Sequence, residues 1–135
     1  MNIILDSNVI IAAFSARGLC YSLFELCLDR YNINISRHIL SEINYILINK
    51  FRISKTKVKS IIDFLQEYCI LVKENKGKID ICRDKDDNKI LALCKNNDVK
   101  YIITGDNDLL VLKKYADTLI IKPREFWKTV KDKII

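Results

Sequence analysis

Proline and glycine are almost missing from this chain, at one and three residues in 135. That excludes collagen-like and linker-like sequences. Histidine is as scarce: His38 stands alone. A Ser–His or Cys–His triad would have to be built on that one residue, and no G-x-S-x-G elbow accompanies it. His38 falls one helical turn before Glu42 and is expected at a helix surface. No glycine-rich phosphate loop of the G-x-x-x-x-G-K-[ST] or G-x-G-x-x-G kind occurs, which disfavours nucleotide binding by that route. No apolar run approaches the ~20 residues a membrane-spanning helix needs. The opening stretch MNIILDSNVIIAAF carries an Asp inside its apolar run and no basic residue before it, unlike a signal peptide. A cytoplasmic protein with no membrane association is expected. Cysteine pairs of the C-x-x-C kind are also absent. Cys20, Cys27, Cys69, Cys82 and Cys94 are odd in number and widely spaced, so reduced buried thiols are expected in place of disulfides or zinc ligands.

What is present is a globular mix. Half the residues are hydrophobic, 30% are charged and mean hydropathy is +0.04, which excludes intrinsic disorder as the main state. The length suits one domain covering residues 1–135. The net charge of +6 is compatible with a polyanionic partner such as nucleic acid. The abundance of Ile, Lys and Asn, whose codons are AT-rich, supplies a second source for the lysines.

Short apolar runs alternate with helical periodicity, the signature of an α/β domain with a mostly parallel sheet. Strands are expected at Ile3 to Leu5, Ile33 to Ile35, Ile70 to Val72, Tyr101 to Thr104 and Thr118 to Ile121. Between them, stripes at residues 20–31, at Ile39, Leu40, Ile43 and Leu47, and at Val58, Ile61, Ile62, Leu65 and Cys69 predict helices. Ser36 and Ser54 are suitable N-caps for the second and third. The stretch Lys73 to Asp87 reads as a loop, with a helix marked by Ile90, Leu91 and Cys94 after it. A short helix at Leu109 to Lys113 follows, and Pro123 suits the first turn of a final helix with Phe126, Trp127 and Val130 inward.

The acids are placed unevenly. Asp6 and Asp106 follow strands, Asp84, Asp86 and Asp87 precede or open a helix, and Glu42 lies about one turn into the helix after the second strand. In an open parallel sheet the ligand site lies beyond the carboxyl ends of the strands, and these acids all fall near that edge. Crowded carboxylates repel, and a hard cation with oxygen ligands, Mg²⁺ or Mn²⁺, removes the conflict. A single Asp after a strand is more simply a helix cap. Four acids at one edge on separate elements favour metal binding for Asp6, Asp87 and Asp106, and leave the two readings level for Glu42. Asp84, Asp86 and Asp108 fit supporting or capping positions. Asp6-Ser7-Asn8 lacks the second Asp that a haloacid-dehalogenase-type phosphatase would need.

These segments together resemble a PIN-domain ribonuclease of the kind found as the toxin of bacterial toxin–antitoxin pairs. LDSNVIIAAF resembles the family's opening strand, SRHILSEINYIL its Ser-to-Glu helix, CRDKDDNKILALC its Arg-Asp-Pro-x-Asp-Asn segment, YIITGDNDLLVL its Thr-Gly-Asp-x-Asp-Leu-Leu segment and IIKPREFW its closing Pro-Arg-Glu-Phe. Five such segments in order, nearly end to end, are specific where each alone is weak. Lys85 departs from the pattern, where a Pro is common, and should loosen the loop while leaving the acids in place. The resemblance implies a three-layer α/β/α sandwich, a metal-dependent endoribonuclease, and often a homodimer or an antitoxin partner.

On that reading Asp6, Glu42, Asp87 and Asp106 carry catalysis and hold one or two Mg²⁺ or Mn²⁺, while Ser7, Asn8, Asp84, Thr104 and Asp108 support them. Lys55, Lys57 and Lys59 crowd a helix start, where the helix dipole disfavours cations, and are candidates for contact with the RNA backbone. Long solvated lysines are the competing explanation. A second basic group, Lys113, Lys114, Lys122, Arg124, Lys128 and Lys131, is equally open. Two other classes stay in view: a non-catalytic RNA-binding module with the same fold, and a phosphoacceptor receiver domain, which also clusters acids at strand ends.

Overall fold

The computed structural model describes residues 1–73, 82 and 85–134. Its centre is a six-stranded sheet of order β3-β2-β1-β4-β6-β5. The strands are β1 (Asn2–Leu5), β2 (Asn32–Ile35), β3 (Ile70–Leu71), β4 (Val99–Ile103), β5 (Lys114–Tyr115) and β6 (Thr118–Ile121). All pairings are parallel except β5 with β6. The order reverses between β1 and β4, so the two central strands leave a crevice at their carboxyl ends.

β1 and β4 run as continuous apolar stretches because both faces of the sheet are covered. Ile3 and Tyr101 pair on one face and Ile4 and Ile102 on the other, and all four are buried. This is the three-layer α/β/α arrangement. One face is covered by α2 (Leu19–Arg30) and α8 (Pro123–Ile134): Phe126 sits at the centre, 5.5 Å from the Tyr31 ring and 5.3 Å from the Tyr101 ring, edge to face. A second aromatic group ties α1 (Ser7–Ser15) and α2 to α4 (Lys55–Tyr68) through Phe14, Phe24 and Phe64.

Local signals explain several helix starts. Ser36 accepts from Ile39 N (3.1 Å) at the head of α3 (Arg37–Asn49), and Ser54 accepts from Lys57 N (3.3 Å) at the head of α4. Pro123 opens α8. Three features differ from the sequence expectation. Helix α1 has no polar stripe, since Val9, Ile10, Ile11 and Ala13 are all buried, so periodicity could not mark it. Strand β5 is a two-residue edge of Lys and Tyr with no apolar run. Helix α5 (Lys85–Ala92) begins before its first apolar residue, so Asp86 and Asp87 lie inside a helix and not in the loop expected to end at Asp87. Two short helices, α6 (Cys94–Asn97) and α7 (Asn107–Leu110), flank β4.

All five cysteines are free thiols, and burial pushes Cys27 and Cys69 up to about 12 and Cys94 up to about 11. Among the described residues no single helix is long and apolar enough to cross a membrane.

Candidate active site

The crevice between the ends of β1 and β4 is lined by side chains that hold one another. Asp6 directly follows β1 and is 4% exposed. Its backbone N–H donates to Ile103 O (3.0 Å), which continues the sheet pairing, and its carboxylate turns back to cap α1, with Oδ1 accepting from Ser7 N (2.8 Å). Oδ2 accepts from Thr104 Oγ1 (2.7 Å) and from Asn8 Nδ2 (3.1 Å). Thr104, fully buried, accepts in turn from Asp106 N (3.0 Å). Asn8 uses its carbonyl oxygen to accept from Gly105 N (3.2 Å). Two strand ends far apart in sequence are thus fastened by side chains of both.

Asp106 is itself the N-cap of α7, its Oδ1 accepting from Asp108 N (3.0 Å). Capping and membership of an acidic site, weighed as rivals from sequence, coincide at Asp6 and Asp106. Asp87 reaches the same place from a third element, α5. Carboxylate oxygens of Asp87, Asp106 and Asp108 lie within 4.8 Å of one another, the only group of three or more such ligand atoms among the described residues. Asp108, given a supporting place from sequence, therefore belongs to the same group as Asp87 and Asp106. Asp6 is outside that group but inside its field. Burial lifts its pKa above the ordinary 3.8; hydrogen bonds from Thr104 and Ser7 oppose this, the charge of Asp106 adds to it and Asn8 opposes it.

Glu42 is not in the three-carboxylate group. It sits on α3 with Oε1 3.4 Å from His38 Nε2 one turn earlier. His38, expected at the surface, is largely buried, its side chain 16% exposed. Asp84 lies outside the described residues. Lys55, Lys57 and Lys59 do open α4, and Lys59 is engaged with Asp63 at 3.5 Å. One polar contact had no sequence signal. The amide of Asn88, beside Asp87, accepts from Cys82 N (2.8 Å) and donates to Cys82 O (3.0 Å).

At the opposite, amino ends of the strands lies an open cavity of about 550 Å³, lined by Asn2, Asn32, Asp98, Lys100 and Asp117 among others. Its acids and Lys100 are exposed to solvent.

An open α/β sheet with a carboxylate cluster at its switch point defines a class of fold and site before any comparison. The chain belongs to the PIN domain family, whose model matches residues 2–108. Its fold is shared by solved structures at low identity, among them VapBC2, VapC20 and FitAcB. VapBC2 from Rickettsia felis, bound to a promoter DNA fragment, is 16% identical with a TM-score of 0.65, covering 90% of this chain and 98% of that one. Mycobacterium tuberculosis VapC20, described as a sarcin-ricin loop cleaving toxin, is 10% identical with a TM-score of 0.60, covering 85% and 97%. FitAcB from Neisseria gonorrhoeae is 17% identical with a TM-score of 0.55, covering 90% and 98%. A sequence comparison with curated proteins finds no match. With the family placed, the receiver-domain alternative has no support.

Proposed function

We propose that this protein is a divalent-metal-dependent endoribonuclease, and that it is the toxin of a toxin–antitoxin pair acting in the cytoplasm. The observation that carries the nuclease reading is the carboxylate group Asp87, Asp106 and Asp108, within 4.8 Å, beside the buried carboxyl of Asp6. Carboxylates this close, in a partly desolvated crevice, repel one another unless a cation joins them. An all-oxygen donor set, with no histidine or cysteine in it, fits Mg²⁺ or Mn²⁺ and does not fit zinc or copper. The donor chemistry thus passes the test for the metal that the family resemblance implies.

Asp87, Asp106 and Asp108 would hold the ion, with Asp6 and Glu42 completing the acidic site. When bound, the ion supplies a more acidic water and neutralises charge that builds on the phosphoryl oxygens. The chain's own groups set the geometry. Ser7 N, Asn8 and Thr104 fix both oxygens of Asp6. Asp108 N fixes Asp106, and the Thr104 hydroxyl joins the Asp6 carboxylate to the Asp106 backbone. Such preorganisation spares the site a reorganisation cost during reaction. The RNA backbone would be drawn by the net charge of +6, with Lys55 and Lys57 as candidate contacts.

The toxin and antitoxin reading is supported by the company the fold keeps, which includes promoter-bound VapBC2 and the VapC20 toxin. A homodimer belongs to the same reading. Purified protein should cleave single-stranded RNA with Mg²⁺ or Mn²⁺ and stop in EDTA. Cleavage undiminished in EDTA would overturn the reading, and tight RNA binding without cleavage would mark a non-catalytic RNA-binding module instead.

A further inference from the structure

We infer that Asn88 is a positioning residue for the metal: its side-chain amide sets the rotation of α5 and so the place of Asp87 in the carboxylate group. The inference rests on the metal-dependent reading above.

Asp87 and Asn88 are consecutive on α5, both buried, at 4% and 7% exposure. Consecutive helix positions point about 100° apart. One therefore faces Asp106 and Asp108 while the other faces the Cys82 main chain. There Asn88 uses both of its hydrogen-bonding groups, accepting from Cys82 N at 2.8 Å and donating to Cys82 O at 3.0 Å. This two-point contact copies the pairing between neighbouring strands, and unlike a single bond it fixes an angle as well as a distance. Cys82 is itself buried, so its amide and carbonyl need these partners.

The angle matters because of leverage. A side chain extends roughly 5 Å from a helix axis, so a rotation of α5 by about 20° carries the Asp87 carboxylate about 2 Å along its arc. Metal ligation tolerates roughly 0.2 Å. Asp106 and Asp108 share α7, whose cap holds the Asp106 carboxylate, whereas Asp87 is the member of the group that comes from a separate helix.

Lys85 sharpens the case. It is the first residue of α5, where a proline would preset the helical φ and lose no helix hydrogen bond. With lysine there, the backbone entering α5 is less restrained and the amide clamp carries more of the orientation. A proline at this position should then compensate in part for loss of the clamp.

The experiment is Mn²⁺-dependent thermal stabilisation of the full-length protein, which reads metal binding without cleavage. Asn88→Ala is compared with the parent, and Thr118→Val serves as the structural control. The control removes a buried bond from Thr118 Oγ1 to Val99 O (2.7 Å) at the other end of the sheet. Both variants should melt lower than the parent. The Mn²⁺ midpoint should rise at least about tenfold for Asn88→Ala, the range seen when a metal ligand's own support is removed, and stay within about twofold for Thr118→Val. Adding Lys85→Pro to Asn88→Ala should return at least half of the lost affinity on a logarithmic scale. If Asn88→Ala does not fold, Asn88→Ser, too short to span both Cys82 groups, takes its place. A Mn²⁺ midpoint unchanged in a folded, destabilised Asn88 variant overturns the inference alone. A parent that does not respond to Mn²⁺ overturns the metal reading and this inference with it.

Discussion

The two ends of the sheet are made of similar residues put to different use. At the amino ends, Asp98, Lys100 and Asp117 surround an opening of about 550 Å³ and stand in solvent. At the carboxyl ends, Asp6 and Asp87 are buried and hydrogen bonds from Ser7, Asn8, Thr104 and Asp108 fix the carboxylates of Asp6 and Asp106. What distinguishes the carboxyl end is that desolvated charge is held in place by donors from two distant strands. Parallel strands explain the asymmetry, since every crossover delivers a helix start to the carboxyl edge, where amide groups and caps converge.

The largest effect that would test this contrast is on activity. Asp106→Asn should reduce RNA cleavage at least about 100-fold, comparable to removing a preorganised charge-stabilising group, whereas Asp117→Asn should change it less than about twofold. Asn caps a helix about as well as Asp, so apo stability should hold in Asp106→Asn while the stabilisation given by Mn²⁺ shrinks. Equal losses in the two variants would erase the distinction between the ends.

A smaller effect is expected on folding. Thr104→Val deletes both the donor to Asp6 and the acceptor for Asp106 N inside a buried site, and should cost about 1–3 kcal/mol in a denaturant melt. Thr118→Val, which deletes the bond to Val99 O at the amino end, should cost about 1 kcal/mol. A Thr104 variant no less stable than the Thr118 variant would show that the interlocking at the carboxyl end adds nothing.

Next comes pH. Burial lifts Asp6 above its ordinary 3.8, so the folded apo protein keeps a proton that the unfolded chain has released. Stability should then fall as pH rises past 3.8 toward the folded-state pKa, and stay at its lower level above it. Asp6→Asn removes that titration. The difference between parent and variant, measured without metal from about pH 4 to pH 7, should widen with pH in the variant's favour. Parallel curves would mean Asp6 is not held at a cost.

The smallest effect concerns Gly105, between Thr104 and Asp106. Its backbone is not in the left-handed region, and an added Cβ would meet only Asn8 Oδ1 at 3.7 Å. Gly105→Ala should shift stability by less than about 0.5 kcal/mol, and a larger loss would show the crevice to be tighter than its geometry implies.

Much of this was legible in the sequence because the fold writes its central strands as unbroken apolar runs and its outer helices as stripes. The runs at Ile3 to Leu5 and Tyr101 to Thr104 located the crevice, and the acids following them located its charge. Where a helix is apolar nearly all round, as in α1, or a strand lies at a sheet edge, as in β5, no period is left to read. The partners of Asp6 are named by sequence position, yet that both its oxygens are engaged is a three-dimensional fact. The start of α5 leaves no mark in the sequence because its first turn, Lys85 to Asn88, is wholly polar. The nearness of Asp108 to Asp87, and the pairing of Glu42 with His38, depend on side-chain directions that spacing alone leaves open.

The bond from Thr104 to Asp6 joins residues 98 apart, and this has a consequence for how the protein comes into being. During synthesis at roughly 5–20 residues per second, about 5 to 20 s separate the making of Asp6 from the making of its partner. Throughout that interval the chain lacks Asp106 and Asp108, although Glu42 and Asp87 are made within it, and no local folding event can substitute for the late-arriving strand. A ribosome that stops early releases a fragment with no assembled crevice. On the nuclease reading, this topology delays hydrolytic competence until β4 and the acids that follow it have been made, a form of timing written into strand order alone.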